Sequence, residues 1–404
     1  MASVLRPILR TVILAAVAVA PAACAEDESG LARDPFAPAA EVSFERYVAL
    51  GNSITAGVQS GGINDSTQSL AYPVLLAGVF GAPDFSIPAL AFPGCTPPLQ
   101  RLVRPSYVGG DPDACEGLVP GLTGPFDNLA VPGYATADLL TRPSDSQFLL
   151  QTFILPPGLS VVDAMIALDP TFVTLWIGNN DVLAAALAGQ PGLATPIPDF
   201  SADFREVLDS IAATGARTAV ANVPDVTAIP ALIDAQRMSG LVDTLQMVGA
   251  NISVVNCDDK AGWFVSILAV TPAFDGVTVV TIDCDATNPF GVDFILAGPG
   301  ATVDEVAALR GLVTLYNDAI AAAVADHGFA LVDVHDLFTR AAAVFGPSEF
   351  RIRVAPVPFA DFGDFFSLDG IHPSSFAQRV LANAFIDAIN FTYAPAVFLT
   401  RLPE

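Results

Sequence analysis

The sequence predicts an α/β fold organised on a parallel sheet, and three observations carry that prediction. Short apolar runs alternate with longer segments of helical periodicity. The run at 171–177 (TFVTLWI) is β-branched, aromatic and nearly continuous, as a strand buried on both faces should be. Hydrophobic residues make up 52% of the 404 positions, too many for a disordered chain and enough for a large core.

The elements follow in order. Residues 46–50 (RYVAL) read as a buried strand ending in Gly-Asn-Ser, and 72–80 as an apolar helix. A second strand is expected at 128–131, closed by Pro132-Gly133, and the central strand at 171–177. A helix at 202–214 leads to a strand at 218–223. A long helix is expected over 303–327, with Gly328 just past its end, then a last strand at 330–334 and a final helix within 373–389. Two stretches fit this alternation poorly. Residues 61–125 are rich in Gly and Pro, and 254–300 interrupt the core pattern. Both read as loop insertions in a single domain spanning 43–404. Within the second, 263–270 and 277–282 suggest a hairpin, either packed on the core or forming a lid or substrate wall.

The N-terminus reads as an address. Arg6 and Arg10 precede an apolar run at 11–20, followed by Ala22-Ala23-Cys24, the pattern of a secretory signal peptide over 1–23. Cys24 resembles the lipidated cysteine of a bacterial lipoprotein, although Pro21 stands where that motif has an aliphatic residue. Ordinary cleavage and an uncleaved anchor are the alternatives. Residues 24–42 then form an acidic, Pro-containing tether. Export to the cell envelope, periplasm or medium gives the remaining cysteines a structural reading: Cys95, Cys115, Cys257 and Cys284 are an even set. Proximity favours Cys95–Cys115 and Cys257–Cys284, one of three pairings. Metal ligation is disfavoured, because no Cys-x-x-Cys pair exists and there are only 3 His.

Charge excludes some partners. Against 17 Lys and Arg stand 42 Asp and Glu, for a net charge of −25. Such a surface cannot displace the counterions of nucleic acid or dock on anionic lipid through a basic patch. Beyond the N-terminus no apolar run reaches the ~18 residues of a membrane-spanning helix. Oligomeric state is left open.

Four short segments lie just after an expected strand or just before an expected helix: 51–57 (GNSITAG), 128–133 (NLAVPG), 178–181 (GNND) and 369–373 (DGIHP). In an open α/β sheet the carboxyl ends of strands form the ligand crevice, so distant segments can converge there. Acyl transfer needs a serine activated by a base, a carboxylate to orient that base, and donors for an oxyanion. Ser53 can be the nucleophile, with its backbone N–H as a donor. Asp369 and His372, three apart, can meet within one turn. Gly133 can give a backbone N–H and Asn180 its amide.

This set resembles the SGNH (GDSL-type) hydrolase family, whose four blocks supply Ser, Gly, Asn and His. The resemblance runs from about Tyr47 to the final helix. It implies a flavodoxin-like three-layer α/β/α sandwich with a central parallel sheet. It also implies an esterase or lipase mechanism with Ser53 as nucleophile, His372 as base and Asp369 as its partner. Ser53, Gly133 and Asn180 would form the oxyanion hole, with no metal or organic cofactor. The substrate would be a small-molecule or lipid ester: lipid esters, short-chain esters and O-acetyl groups on glycans are all compatible, and the apolar insertions and apolar loop before Asp369 favour lipid or simple acyl esters. There are departures: Asn52 replaces the family's Asp, the block around Gly133 is loosely matched, and the chain is long. An inactive surface-tethered binding protein on the same fold is the alternative that Asn52 supports, and acyl transfer to an alcohol is another.

Other residues have blander readings. His335 is the rival base, while His327 complements the end of the long helix. Asp181 reads as a structural cap or loop anchor. Phe359, Phe362, Phe365 and Phe366 either pack in the core or line an acyl pocket. Asp258, Asp259, Asp283 and Asp285 form a solvated acidic cluster or a calcium site.

Overall fold

The computed structural model describes residues 42–145, 147–247, 249–285, 295–296, 304–344, 353–354 and 360–403. The expected signal peptide, Cys24, nearly all of the 24–42 tether and Phe359 lie outside these residues, as does part of the second insertion. Four parallel strands form the main sheet in the order β1 (Tyr47–Gly51), β2 (Phe172–Trp176), β3 (Arg217–Ala221) and β4 (Ala330–Val332). Strands β1 and β2 are buried throughout, which explains their nearly unbroken apolar sequences. The polar atoms inside are paired: Tyr47 Oη and Thr174 Oγ1 lie 2.8 Å apart across the two strands.

The segment expected as a strand at 128–131 runs parallel along the free edge of β1. Ala49 N–H donates to Asp127 O, Leu129 N–H to Ala49 O and Val131 N–H to Gly51 O, at 2.9, 2.9 and 3.1 Å. It joins the sheet through a single bridge, Ala49 to Asn128, before the chain turns away. Counting this edge, the spatial order is 2-1-3-4-5. That order places a crevice at the carboxyl ends of the strands around β1.

Seven helices matter for the site: α1 (Ser53–Ala56), α2 (Tyr72–Phe80), α3 (Thr136–Leu140), α4 (Asn180–Ala188), α5 (Ile197–Ala213), α6 (Glu305–His327) and α7 (Ser375–Tyr393). Helices α2 and α7 cover the face of Phe172 and Trp176, where Tyr393 meets Phe172 edge-on and Tyr72 packs against Trp176. Helices α3, α5 and α6 pack together in the other layer. Helix α5 starts before the expected 202, because Pro198 falls in its first turn, where a missing N–H is harmless. Helix α6 ends as expected, at left-handed Gly328 (φ 65°).

The insertions depart from expectation. In the second, no hairpin forms between 263–270 and 277–282. Phe264–Ser266 pairs antiparallel with Leu232–Asp234 and Ile295–Leu296, while Val280–Asp283 pairs parallel with Ile252–Val255. A parallel pair needs a crossover, and helix Ile267–Val270 lies within it. Disulfides join Cys95 to Cys115 and Cys257 to Cys284. The second ties together the ends of the parallel pair. Phe362, Phe365 and Phe366 are all buried, and Phe338 meets Phe365 edge-on at 5.2 Å, so these rings pack in the core. Among the described residues no helix is long and apolar enough to cross a membrane.

Candidate active site

The chain leaves β1 at Gly51, where a side chain has no room: a Cβ would lie 2.6 Å from Trp176 O on the neighbouring strand. Asn52 is buried and caps α1, its Oδ1 accepting the Ile54 N–H at 3.2 Å. Its Nδ2 finds no partner among the described residues. Ser53 opens α1, and Gly57 in the left-handed region (φ 92°) stops the helix after one turn. Gln378 of α7 clamps this turn, donating to Ile54 O at 3.1 Å and accepting the Tyr72 N–H at 2.9 Å.

The other end of the chain supplies the expected base. His372 Nε2 lies 2.9 Å from Ser53 Oγ, across 319 residues of sequence. His372 Nδ1 lies 2.7 Å from Asp369 Oδ2. Asp369 Oδ1 accepts the backbone N–H groups of Ile371 (2.9 Å) and His372 (2.8 Å). Burial pushes the Asp369 carboxyl up. The charge of His372 and the hydrogen bonds from its ring and backbone and from Ile371 outweigh burial, and hold the pKa at about 2. The carboxylate can therefore fix the imidazole tautomer and stabilise an imidazolium.

Asn180 starts α4 just past β2, after Gly178 turns the chain with φ 107°. Its Nδ2 donates to Tyr134 O at 2.8 Å, which orients the amide and leaves its second N–H available. Gly133 follows the edge segment with φ 90°, and a Cβ there would meet the Phe148 ring at 2.9 Å. Among the described residues no acceptor engages the Ser53 or Gly133 backbone N–H. Ser53, Gly133, Asn180 and His372 all line one cavity of about 560 Å³.

The structure separates the other candidates from this cavity. His335 Nδ1 faces Val223 O at 3.2 Å, and its backbone N–H donates to Asn222 Oδ1 at 2.9 Å. His327 pairs with Asp209 at 2.8 Å in the last turn of α6. Asp181 accepts the N–H and hydroxyl of Thr136 at 3.0 and 2.8 Å, capping α3, and burial raises its pKa against those bonds. In the acidic cluster, Lys260 Nζ sits 2.8 Å from Asp285, and Asn256 donates to Asp283 at 2.7 Å. Among the described residues no group of three His, Cys, Asp or Glu could hold a metal ion.

The cavity wall is where sequence reasoning fell short. The sequence allows the second insertion to form a substrate wall, yet none of its described residues lines the cavity. The first insertion does, through Gly62, Ile63, Thr96 and the Cys95–Cys115 bridge. Phe148 and Leu149 close the other side, with Leu149 54% exposed at the surface. The Gly61-Gly62 pair was the one available signal, a turn dipeptide soon after the nucleophile block.

The family model of GDSL-like lipases and acylhydrolases matches residues 47–385. The chain belongs to this family. Its members are carboxylic ester hydrolases, which agrees with the serine, histidine and carboxylate gathered at the strand ends. Among curated protein sequences no significant match was found. Solved structures similar to this GDSL-family chain include an acetyl xylan esterase variant from Geobacillus stearothermophilus. The two are 13% identical over 87% of this chain and 97% of that one, with a TM-score of 0.40. A phospholipase A1 from Streptomyces albidoflavus is 17% identical over 86% and 98%, with a TM-score of 0.37. An alpha/beta hydrolase from the Lake Arreo metagenome is 15% identical over 86% and 95%, with a TM-score of 0.39.

Proposed function

We propose that this GDSL-family protein is an exported serine hydrolase that cleaves lipid or simple acyl esters through a Ser53–His372–Asp369 triad and an acyl-enzyme. The observation that carries the reading is the unbroken hydrogen-bond chain from Ser53 Oγ through His372 to Asp369 (2.9 and 2.7 Å), opening on the cavity. His372 Nε2 takes the Ser53 proton as Oγ attacks the ester carbonyl. The oxyanion that forms is met by the N–H groups of Ser53 and Gly133 and by the Asn180 amide. Collapse expels the alcohol, which takes the proton back from His372. Water, activated by the same imidazole, then releases the acid and regenerates Ser53.

Val58, Ile63, Phe148, Leu149, Leu150 and Leu183 give the cavity an apolar lining suited to an acyl chain. The signal-like N-terminus and the two disulfides support export, with Cys24 as the candidate lipid anchor. The test is a chain-length series of p-nitrophenyl esters with wild type and Ser53→Ala side by side. Wild type should prefer acyl chains longer than acetyl, and Ser53→Ala should lose at least ~10³-fold in kcat/KM. A folded wild type that is silent across the series and unlabelled by a fluorophosphonate overturns the reading.

A further inference from the structure

Among the described residues, Asp369 receives one hydrogen bond from far outside its own loop. Gly61 N–H donates to Asp369 Oδ2 at 2.5 Å across 308 residues, and that same oxygen faces His372 Nδ1. The other donors to this carboxylate, Ser367, Ile371 and His372, are all within three residues of it. The direction of the Gly61 N–H is set by a corner in which two successive residues are left-handed, Ser60 at φ 55° and Gly61 at φ 70°. For a serine this backbone is uncommon and must be held by its surroundings.

The corner is held by an interlock with the loop of the proposed acid and base. Ser60 N–H donates to Ser367 Oγ at 2.8 Å, and Leu368 N–H donates back to Ser60 Oγ at 3.2 Å. Ser367 is buried, and its own proton faces His372 O at 3.0 Å and Asp369 Oδ1 at 3.2 Å. On its far side the corner is backed by the first insertion. Thr96 Oγ1 donates to Gly61 O at 3.0 Å, and Gln59 and Gly62 exchange backbone bonds at 2.9 and 3.1 Å.

We propose that Ser367 is a positioning residue, which locks the Ser60–Gly61 corner so that the Gly61 N–H aims the Asp369 carboxylate at His372. The inference rests on the triad reading above. Local loop bonds fix one carboxylate oxygen, and the Gly61 N–H fixes the oxygen that must face the imidazole. Without the lock the carboxylate can turn about its last torsion, and the imidazole loses the partner that sets its tautomer. Removing such a carboxylate's function altogether costs about 10⁴-fold in kcat, so partial misalignment should cost less. None of Ser60, Gly61 or Ser367 belongs to the four blocks.

The experiment compares wild type, Ser367→Ala, Ser367→Thr and Ser60→Gly on one p-nitrophenyl ester, with active sites counted by fluorophosphonate labelling. Ser367→Ala should lose about 10- to 100-fold in kcat with a much smaller change in KM, since Ser367 does not line the cavity and of the Ser60–Gly61 corner only Gly61 does. Ser367→Thr keeps the hydroxyl and should recover most of that loss. Ser60→Gly keeps the left-handed corner but deletes one bond of the interlock, and should lose less than Ser367→Ala. If Ser367→Ala does not fold, the Ser60→Gly loss in kcat at constant KM carries the test. Wild-type kcat per labelled site in the folded Ser variants overturns the positioning role while leaving the triad standing. A loss confined to KM also overturns it. A wild type that neither labels nor turns over overturns both readings.

Discussion

Asp369 shows how a single carboxylate is held charged inside a protein. Burial favours its neutral form, yet His372 and several N–H donors bring its pKa to about 2 from 3.8. A depressed folded-state pKa contributes stability that is fully present above about pH 4. That stability is lost as the pH falls through the folded value, because the native carboxylate must then be protonated. The shift corresponds to ~2 kcal/mol. Denaturant unfolding of wild type and Asp369→Asn at several pH values should show wild type losing roughly this much more than the variant between pH 4 and pH 2. Parallel loss in both proteins would refute the assignment. Gly51 and Gly133 make a different point at the same scale. The first is required by the approach of Trp176 O, and the second by a left-handed backbone facing Phe148.

Among the elements, the two disulfide-bonded segments divide by what they border. Cys95–Cys115 lines the cavity, whereas Cys257–Cys284 closes the parallel pair of the second insertion and borders no part of it. Each closes a chain loop, of sequence separation 20 and 27, worth about 3 kcal/mol in the chain-entropy account. Replacing Cys257 and Cys284 by Ser should lower Tm with kcat/KM for a neutral ester kept within about twofold. Replacing Cys95 and Cys115 should lower both, because the cavity wall loosens together with the fold. Thermal melts and ester kinetics on the two double variants check this, and identical kinetic losses would contradict it. The first insertion thus belongs to the cavity beside Ser53 as well as to the surface.

For the molecule as a whole, the net charge of −25 is the dominant long-range property. Such a field slows the approach of anionic substrates, and salt screens it over a Debye length of about 8 Å at physiological ionic strength. Hydrolysis of a carboxylate-bearing ester should therefore speed up as salt rises from about 10 to 300 mM, with kcat/KM for a neutral isostere nearly constant. Equal salt dependence for the two esters would show that the field does not reach the cavity.

Much of the fold was legible because it is written locally. The buried strands β1 and β2 are almost entirely apolar, Gly328 marks the end of α6, and Asp369 and His372 are near neighbours whose side chains meet. The motif blocks were legible for the same reason: each needs a tight turn or a helix start, and Gly51, Asn52, Gly178 and Pro373 leave that signature. The tertiary structure decided what depends on contacts between distant residues. It paired Ile252–Val255 with Val280–Asp283 in place of a hairpin, and took Phe362, Phe365 and Phe366 into the core. It also brought Phe148 and the Cys95–Cys115 bridge around Ser53, and set the Gly61 N–H on Asp369. Local backbone preference is encoded within a few residues, whereas a cavity wall and a hydrogen bond across 308 residues exist only once the chain has packed.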